Sequence, residues 1–236
     1  MPHGTLSPLY AILDCDAVTA RGWAPADVCR AWLSAGIRLI QLRAKSARFG
    51  AFLDVADDIA PLCREAGATL FINDRADVAV LCGADGVHVG QDDLSVADVR
   101  RVSASGLQPT YVARPAAQGR DYTGLMVGLS THNDAQIAAA VSQPISYLAI
   151  GPVFGTGSKD TGYSPVGLAQ VERAAVAAHA AGLPLVAIGG ITLDRAPAVW
   201  AAGADAVAVI ADLLPGDVAG VESRARAWLR AGPGRL

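Results

Sequence analysis

Three polar residues follow one apolar run at alternate positions: Gln41, Arg43 and Lys45. On an extended strand, residues two apart project from the same face, so the two positive charges would point together. Arginine can bind two phosphate oxygens at once and lysine adds a compact charge, which suits a diphosphate. The alternative is a solvated strand end, because most charged residues lie at the protein surface.

Two aspartates, Asp74 and Asp93, follow the next two apolar runs, and Asn73 precedes the first of them. Magnesium takes hard oxygen ligands, commonly one or two carboxylates completed by waters and substrate phosphates. General acid/base catalysis is the competing chemical role for such a pair. A third possibility is that Asp74, and Asp92 or Asp93, cap the helices that follow them.

Two glycine-containing segments could hold a second phosphate. Residues 155–159 read GTGSK, which combines flexible backbone, hydroxyl groups and one cation, but the spacing of an ATP-binding Walker motif is absent. Gly189 and Gly190 follow a later apolar run, where backbone N–H groups could approach a ligand closely. A plain tight turn would explain this glycine pair equally well. For the lone histidines His88 and His132, hydrogen bonding that shapes the site is the default role and a chemical role is the alternative. No Ser-His-Asp order or HExxH helix accompanies them.

The elements that would position these residues alternate regularly. Eight short apolar runs predict strands: LYAIL, IRLIQL, TLFI, GVHV, LMVGL, YLAI, LVAI and AVAVI. Alanine-rich amphipathic stretches between them predict helices, including 26–35, 49–66, 166–181 and 218–230. This pattern predicts an α/β fold, a single (β/α)8 barrel of the TIM class over residues 1–236, with 103–123 as a loop insertion. An open doubly wound sheet is the rival, because periodicity cannot report closure. In a barrel, the loops after the strands share one mouth, so the polar residues would meet there.

Composition excludes several functions for this chain. Of its 236 residues, 52% are hydrophobic and 17% are charged, which indicates a large core. A net charge of −3 gives no general attraction for nucleic acid or an anionic membrane. Four widely separated cysteines predict buried reduced thiols. We see no secretory signal or membrane span, so we expect a cytoplasmic protein.

The chain resembles the thiamine phosphate synthase family in an ordered set of segments that covers nearly its whole length: QLRAK, INDR, DGVHVGQDDL, GLSTHN, AIGPVFGTGSKDTGYSPVGL and AIGGI. The resemblance implies an enzyme that condenses hydroxymethylpyrimidine diphosphate with thiazole phosphate, in its plain or carboxylated form. The products would be thiamine phosphate and pyrophosphate. It also implies Mg2+ as cofactor and a homo-oligomeric assembly.

Carried over residue by residue, the resemblance assigns binding of the diphosphate to Gln41, Arg43, Lys45, Asn73, Ser130 and Lys159. Arg43, Lys45 and Lys159 would act in catalysis by stabilising the leaving anion. Asp74 and Asp93 would bind magnesium. The thiazole phosphate would be held by Thr156, Ser158, Gly190 and Ile210.

Two departures from the family pattern stand out. Ala211 occupies a position near which the family commonly has serine, so one side-chain contact to phosphate is lost. The segment 103–123 replaces a compact connection. Two other functions stay open: a thiazole tautomerase-like paralogue, and a non-catalytic barrel that binds a phosphorylated metabolite. Both aspartates and the cationic set favour the synthase over either.

Overall fold

Eight parallel strands close into a barrel in the computed structural model, which describes residues 6–105, 124–155 and 163–233. Each strand pairs with the next along the chain, and β8 pairs with β1, so the sheet has no open edge. The strands are β1 Leu9–Asp14, β2 Leu39–Arg43, β3 Thr69–Asn73, β4 Gly86–Val89, β5 Met126–Thr131, β6 Tyr147–Ile150, β7 Leu185–Ile188 and β8 Ala206–Val209. The predicted barrel is therefore confirmed, and the open sheet is wrong.

Helices connect successive strands, as predicted. Within the described residues they are α1 Cys15–Thr19, α2 Pro25–Ala35, α3 Phe49–Glu65, α4 Ala76–Cys82, α5 Val96–Ser103, α6 Asp134–Ala140, α7 Gly167–Ala180, α8 Ala196–Ala201 and α9 Val221–Ala231. Two 3-10 turns, Ala211–Leu213 and Val218–Gly220, lie between β8 and α9. The residues predicted as an insertion begin inside α5, and 106–123 lie outside the described ranges. In the part of the chain that is described, no helix has the length and apolar character needed to cross a bilayer.

The core has two layers because each strand buries both of its faces. One layer lies between the strands and the surrounding helices, and the other fills the barrel. Inside the barrel, the rings of Tyr10, Phe71 and Tyr147 meet edge to face with centroids 5.4–5.9 Å apart. Gly128 on β5 leaves the space that the Tyr147 ring occupies.

Replacing Gly128 by alanine is expected to lower the free energy of unfolding by about 1–3 kcal/mol through overpacking. The new methyl carbon would lie 2.0 Å from Cζ of Tyr147, so the ring must move. Urea unfolding measures the change. Gly50→Ala is the matched control, since its methyl group would meet open space on α3 and should leave stability unchanged or slightly higher. Wild-type stability of Gly128→Ala would contradict the packing described here.

The four cysteines are free and buried, which confirms the prediction of reduced interior thiols. Burial raises the pKa of Cys82 to about 11 and is the main cause that raises that of Cys15 to about 12. A thiol reacts as its thiolate, so these groups should be inert near neutral pH. We expect a disulfide reagent at pH 8 to modify none of the four in the native protein and all four in urea. Fast modification of any native cysteine would show that its helix opens readily.

Candidate active site

An outer cavity of about 600 Å³ lies at the carboxyl ends of β1 to β5. Its position follows from the parallel barrel, which brings the residues after each strand to one rim. The charged and amide side chains that line it are Asp14, Asp16, Arg43, Lys45, Asn73, Asp74, Gln91, Asp92 and Asp93. Residues separated by 79 positions in the chain thus share one opening.

The two cations of this cavity are held differently. Arg43 is 11% exposed and pairs with the buried carboxylate of Asp14, which also accepts a hydrogen bond from the N–H of Ala17. Nε of Arg43 is buried with no partner among the described residues. Lys45 is 46% exposed and pairs with Asp74. Because β2 ends at Arg43, the prediction that Lys45 extends the same strand face is wrong, although Lys45 still reaches the cavity.

Asp74 lies close enough to Asp93 to affect the pKa of Asp93. Burial raises the pKa of Asp93, and the nearby Asp74 carboxylate adds to the rise; the N–H of Gly90, 2.7 Å from Asp93 Oδ2, and the charge of Lys45 oppose it. Asp74 adopts a left-handed φ of 64°, a conformation that is uncommon for residues other than glycine and that often occurs at functional sites.

Neither aspartate caps a helix, so that alternative is wrong. The N-cap of α4 is Arg75, which makes no capping hydrogen bond through its side chain. The N-cap of α5 is Ser95, which accepts from the N–H of Asp98. Asp74 and Asp93 thus line the outer cavity and do not cap a helix.

The pair of carboxylates fits a hard cation whose remaining ligands come from a substrate and water. Among residues 6–105, 124–155 and 163–233, no group of three or more His, Cys, Asp or Glu side chains is arranged to hold a metal. Two adjacent carboxylates beside cationic groups are nevertheless the protein ligands that magnesium uses when phosphate oxygens and waters supply the others. Burial is the main cause of the raised pKa of Asp93 and the neighbouring Asp74 carboxylate adds to it, and a bound cation would favour the ionised form of Asp93.

An inner cavity of about 140 Å³ lies deeper, within the barrel. Gln41, Gly189, Gly190 and Ile210 all line it, together with apolar side chains. Gly189 and Gly190 have φ values of +106° and +61°, which glycine adopts without strain. A Cβ atom on Gly190 would lie 2.5 Å from the carbonyl oxygen of Gly155, so the two loops are in close contact. The predicted glycine pair therefore has a steric reason to be glycine.

A chain of hydrogen bonds runs through the barrel interior from β2 to β5. Gln41 donates to the Tyr10 hydroxyl (3.1 Å), which lies 3.1 Å from that of Tyr147. The Tyr147 hydroxyl lies 2.8 Å from Nδ1 of His88, whose Nε2 lies 2.8 Å from Oγ of Ser130. Burial raises the pKa of Tyr147 well above its ordinary value, so the hydroxyl stays neutral. Both ring nitrogens of His88 are thus engaged in fixing neighbours, as predicted for a shaping role.

The two cavities share a wall formed by Arg43, Asn73, His88, Ser130 and His132. His132 is fixed by a 2.5 Å contact between Nδ1 and the Gly151 carbonyl oxygen and by stacking on Tyr163. A ligand group in the inner cavity would therefore sit next to one in the outer cavity. Thr156, Ser158 and Lys159, which the sequence also assigns to the site, lie outside the described residues.

A family model described as thiamine monophosphate synthase matches residues 9–108 and 101–213. Those two segments include every strand of the barrel and both cavities. The chain belongs to the thiamine monophosphate synthase family.

Curated relatives within the family are close. A thiamine-phosphate synthase of Laribacter hongkongensis is 42% identical over 183 residues, which cover 78% of this chain and 76% of that protein. A thiamine-phosphate synthase of Chlorobium luteolum is 36% identical over 209 residues, which cover 89% of this chain and 85% of that protein. The solved thiamine phosphate pyrophosphorylase of Pyrococcus furiosus superposes with a TM-score of 0.76 over 97% of this chain and 98% of its own; at 24% identity it supports the fold alone.

Three residues of the site in this family member escaped the sequence analysis. Asp14 is the last residue of β1 and directly follows the apolar run LYAIL, so the rule that located polar residues after later apolar runs would have found it. Tyr10 and Tyr147 lie within the apolar runs LYAIL and YLAI, which predict strands. A tyrosine at an inward strand position carries a polar tip into the barrel, and that is the signal that could have identified them.

Proposed function

We propose that this family member is a thiamine-phosphate synthase, which joins hydroxymethylpyrimidine diphosphate to thiazole phosphate and releases pyrophosphate. The observation that carries the proposal is the shared wall between a charged outer cavity and a more apolar inner one. A diphosphate in the outer cavity and an organic acceptor in the inner one would then meet at the bond to be exchanged. Holding two reactants in this way removes much of the entropic barrier to their reaction.

The diphosphate would contact Arg43, Lys45, Asn73, Ser130 and Lys159, with Asp74 and Asp93 holding Mg2+ beside it. When bound, the metal offsets negative charge on the departing group. Lys45 is half-exposed and now pairs with Asp74, so it can turn to a phosphate oxygen once that carboxylate has a cation to bind. Gln41 lines the inner cavity and not the outer one, which favours contact with an organic ring over the assigned contact with the diphosphate.

The proposed reaction is a dissociative substitution. The bond between the pyrimidinylmethyl carbon and the diphosphate oxygen breaks, and its electron pair leaves with pyrophosphate. The electron-rich pyrimidine stabilises the resulting cation, and the thiazole nitrogen donates its lone pair to form the new C–N bond. The protein supplies no nucleophile; its fixed charges stabilise the developing anion. Apolar walls of the inner cavity, such as Ile12, Val186 and Ile188, would limit capture of the cation by water.

The thiazole phosphate, plain or carboxylated, would be bound by Thr156, Ser158 and the backbone near Gly190 and Ile210. The loops after β7 and β8 that carry the last two line the inner cavity, and this end of a TIM barrel frequently binds phosphate. A homo-oligomeric state, a cytoplasmic location and a single domain over 1–236 remain predictions.

The test is release of pyrophosphate by the purified protein with both substrates and Mg2+. A synthase should release it only when both substrates and the metal are present, and a chelator should stop the reaction. A tautomerase-like paralogue would convert the thiazole without pyrophosphate, and a metabolite-binding barrel would bind without turnover. Either of those results would remove the proposal.

A further inference from the structure

Asp212 accepts an unusual number of hydrogen bonds for a residue that the proposed mechanism does not use. It lies in the 3-10 turn after β8, next to Ala211. Its Oδ2 accepts from the backbone N–H of Leu193 at 3.2 Å and from Nε1 of Trp228 at 2.8 Å. Nη2 of Arg224 donates to both carboxylate oxygens, at 2.7 and 2.6 Å, while its Nε donates to the Asp212 carbonyl at 2.9 Å.

These bonds tie three separate parts of the chain to one carboxylate. Leu193 belongs to the loop after β7, Asp212 to the turn after β8, and Arg224 and Trp228 to α9. Trp228 is fully buried and packs edge to face on Trp200 of α8, with centroids 6.5 Å apart. The anchor of the carboxylate is therefore rigid, and it fixes the spacing between the β7 and β8 loops.

The same two loops carry the proposed contacts to the thiazole phosphate. Gly190 lies three residues before Leu193, and Ile210 lies two residues before Asp212. All of Gly190, Ile210 and Asp212 line the inner cavity. Backbone N–H groups bind a phosphate well only when their spacing is fixed, because each hydrogen bond tolerates little change in distance. Ala211 has no hydrogen-bonding side chain, so at this turn contacts to a phosphate would come from the backbone.

The charge of Asp212 would work against a phosphate unless it were balanced. A carboxylate that lines an anion site repels the anion, more strongly where solvent is limited. Here Arg224 binds both oxygens of the carboxylate. The ion pair thus lets a negative residue organise the loops without adding net charge to the site.

We infer that Asp212, paired with Arg224, is a positioning residue for the thiazole phosphate site. It holds the loops after β7 and β8 at a fixed spacing, so that their backbone groups bind the phosphate. The inference rests on the proposed function. It concerns one substrate only, because Asp212 lines the inner cavity and not the outer one.

The experiment measures KM for each substrate in pyrophosphate release, and the Kd of thiazole phosphate by calorimetry without the second substrate. We expect Asp212→Ala to raise KM and Kd for thiazole phosphate at least 10-fold. KM for the pyrimidine diphosphate should stay within twofold of wild type, and kcat within threefold. Arg224→Gln should raise KM and Kd for thiazole phosphate further, because the Asp212 carboxylate then has no cation beside it to balance its charge. Asp212→Asn should stay within threefold of wild type, because an amide oxygen in place of Oδ2 keeps the bonds from Leu193 and Trp228.

Charge and geometry are separated by the double variant Asp212→Asn/Arg224→Gln, which should bind thiazole phosphate more tightly than Arg224→Gln alone. Asp217→Asn is the matched control: this nearby aspartate caps only the turn at Gly220, and both KM values should stay at wild type.

Three results would overturn the inference. The first is that Asp212→Ala has the KM and Kd of wild type for thiazole phosphate. The second is that Asp212→Ala raises KM equally for both substrates. The third is that the double variant binds thiazole phosphate no more tightly than Arg224→Gln alone. Failure of the proposed function looks different: wild type would release no pyrophosphate. The calorimetric comparison still tests Asp212 in that case, and absence of thiazole phosphate binding by wild type would overturn the inference as well.

Discussion

Asp74→Asn should lower the rate of pyrophosphate release about 100-fold and raise the Mg2+ concentration needed for half-maximal rate at least 10-fold. The amide keeps the shape of the carboxylate but removes the charge that would bind the metal beside Asp93. Loss of one fixed electrostatic contact to a developing anion typically costs about 3 kcal/mol of barrier. Asparagine is preferred to alanine because residue 74 has a φ of 64°, which asparagine tolerates better.

Asp92→Asn is the matched control for this prediction. Asp92 lines the same cavity and precedes Asp93, but it is exposed. Its replacement should leave the rate and the Mg2+ dependence within twofold of wild type. The measurement is steady-state rate against Mg2+ concentration at saturating substrates. If Asp74→Asn matched wild type, the assignment of the metal to this pair would be lost, while the barrel and the cavities would stand.

Arg43→Lys should also lower the rate about 100-fold, although the charge is conserved. Lysine offers a single point of charge where arginine presents a planar fork, so a two-point contact with the diphosphate is lost. The buried Asp14 holds the guanidinium and would lose that geometry too. We therefore expect a higher KM for the pyrimidine diphosphate, an unchanged KM for thiazole phosphate, and some loss of thermal stability.

Arg48→Lys serves as the control, since Arg48 lies five residues further along and is exposed. It should have wild-type kinetics and stability. Rates are compared at a temperature where circular dichroism shows each variant folded, so that loss of stability is not read as loss of catalysis. A rate for Arg43→Lys within threefold of wild type would show that Arg43 does not contact the diphosphate in the way proposed.

The amino-acid sequence by itself determined the order and type of the elements. Continuous apolar runs, alanine-rich amphipathic stretches and glycines such as Gly36 and Gly182 set where strands and helices begin and end, because these are local properties of the chain. It also determined which residues follow the strands, and thus the set that includes Arg43, Asp74 and Asp93.

Only the tertiary structure decided how those residues are paired and enclosed. Pairing of neighbouring strands places Asp14 against Arg43 and Lys45 against Asp74. The helices α4 and α5 have Arg75 and Ser95 as N-caps, so Asp74 and Asp93 are left to the cavity. The tertiary structure also links Tyr10, Tyr147 and His88 into one hydrogen-bonded chain. The physical reason is that periodicity encodes which face of an element is buried, whereas a contact between side chains far apart in the sequence depends on barrel closure and strand register.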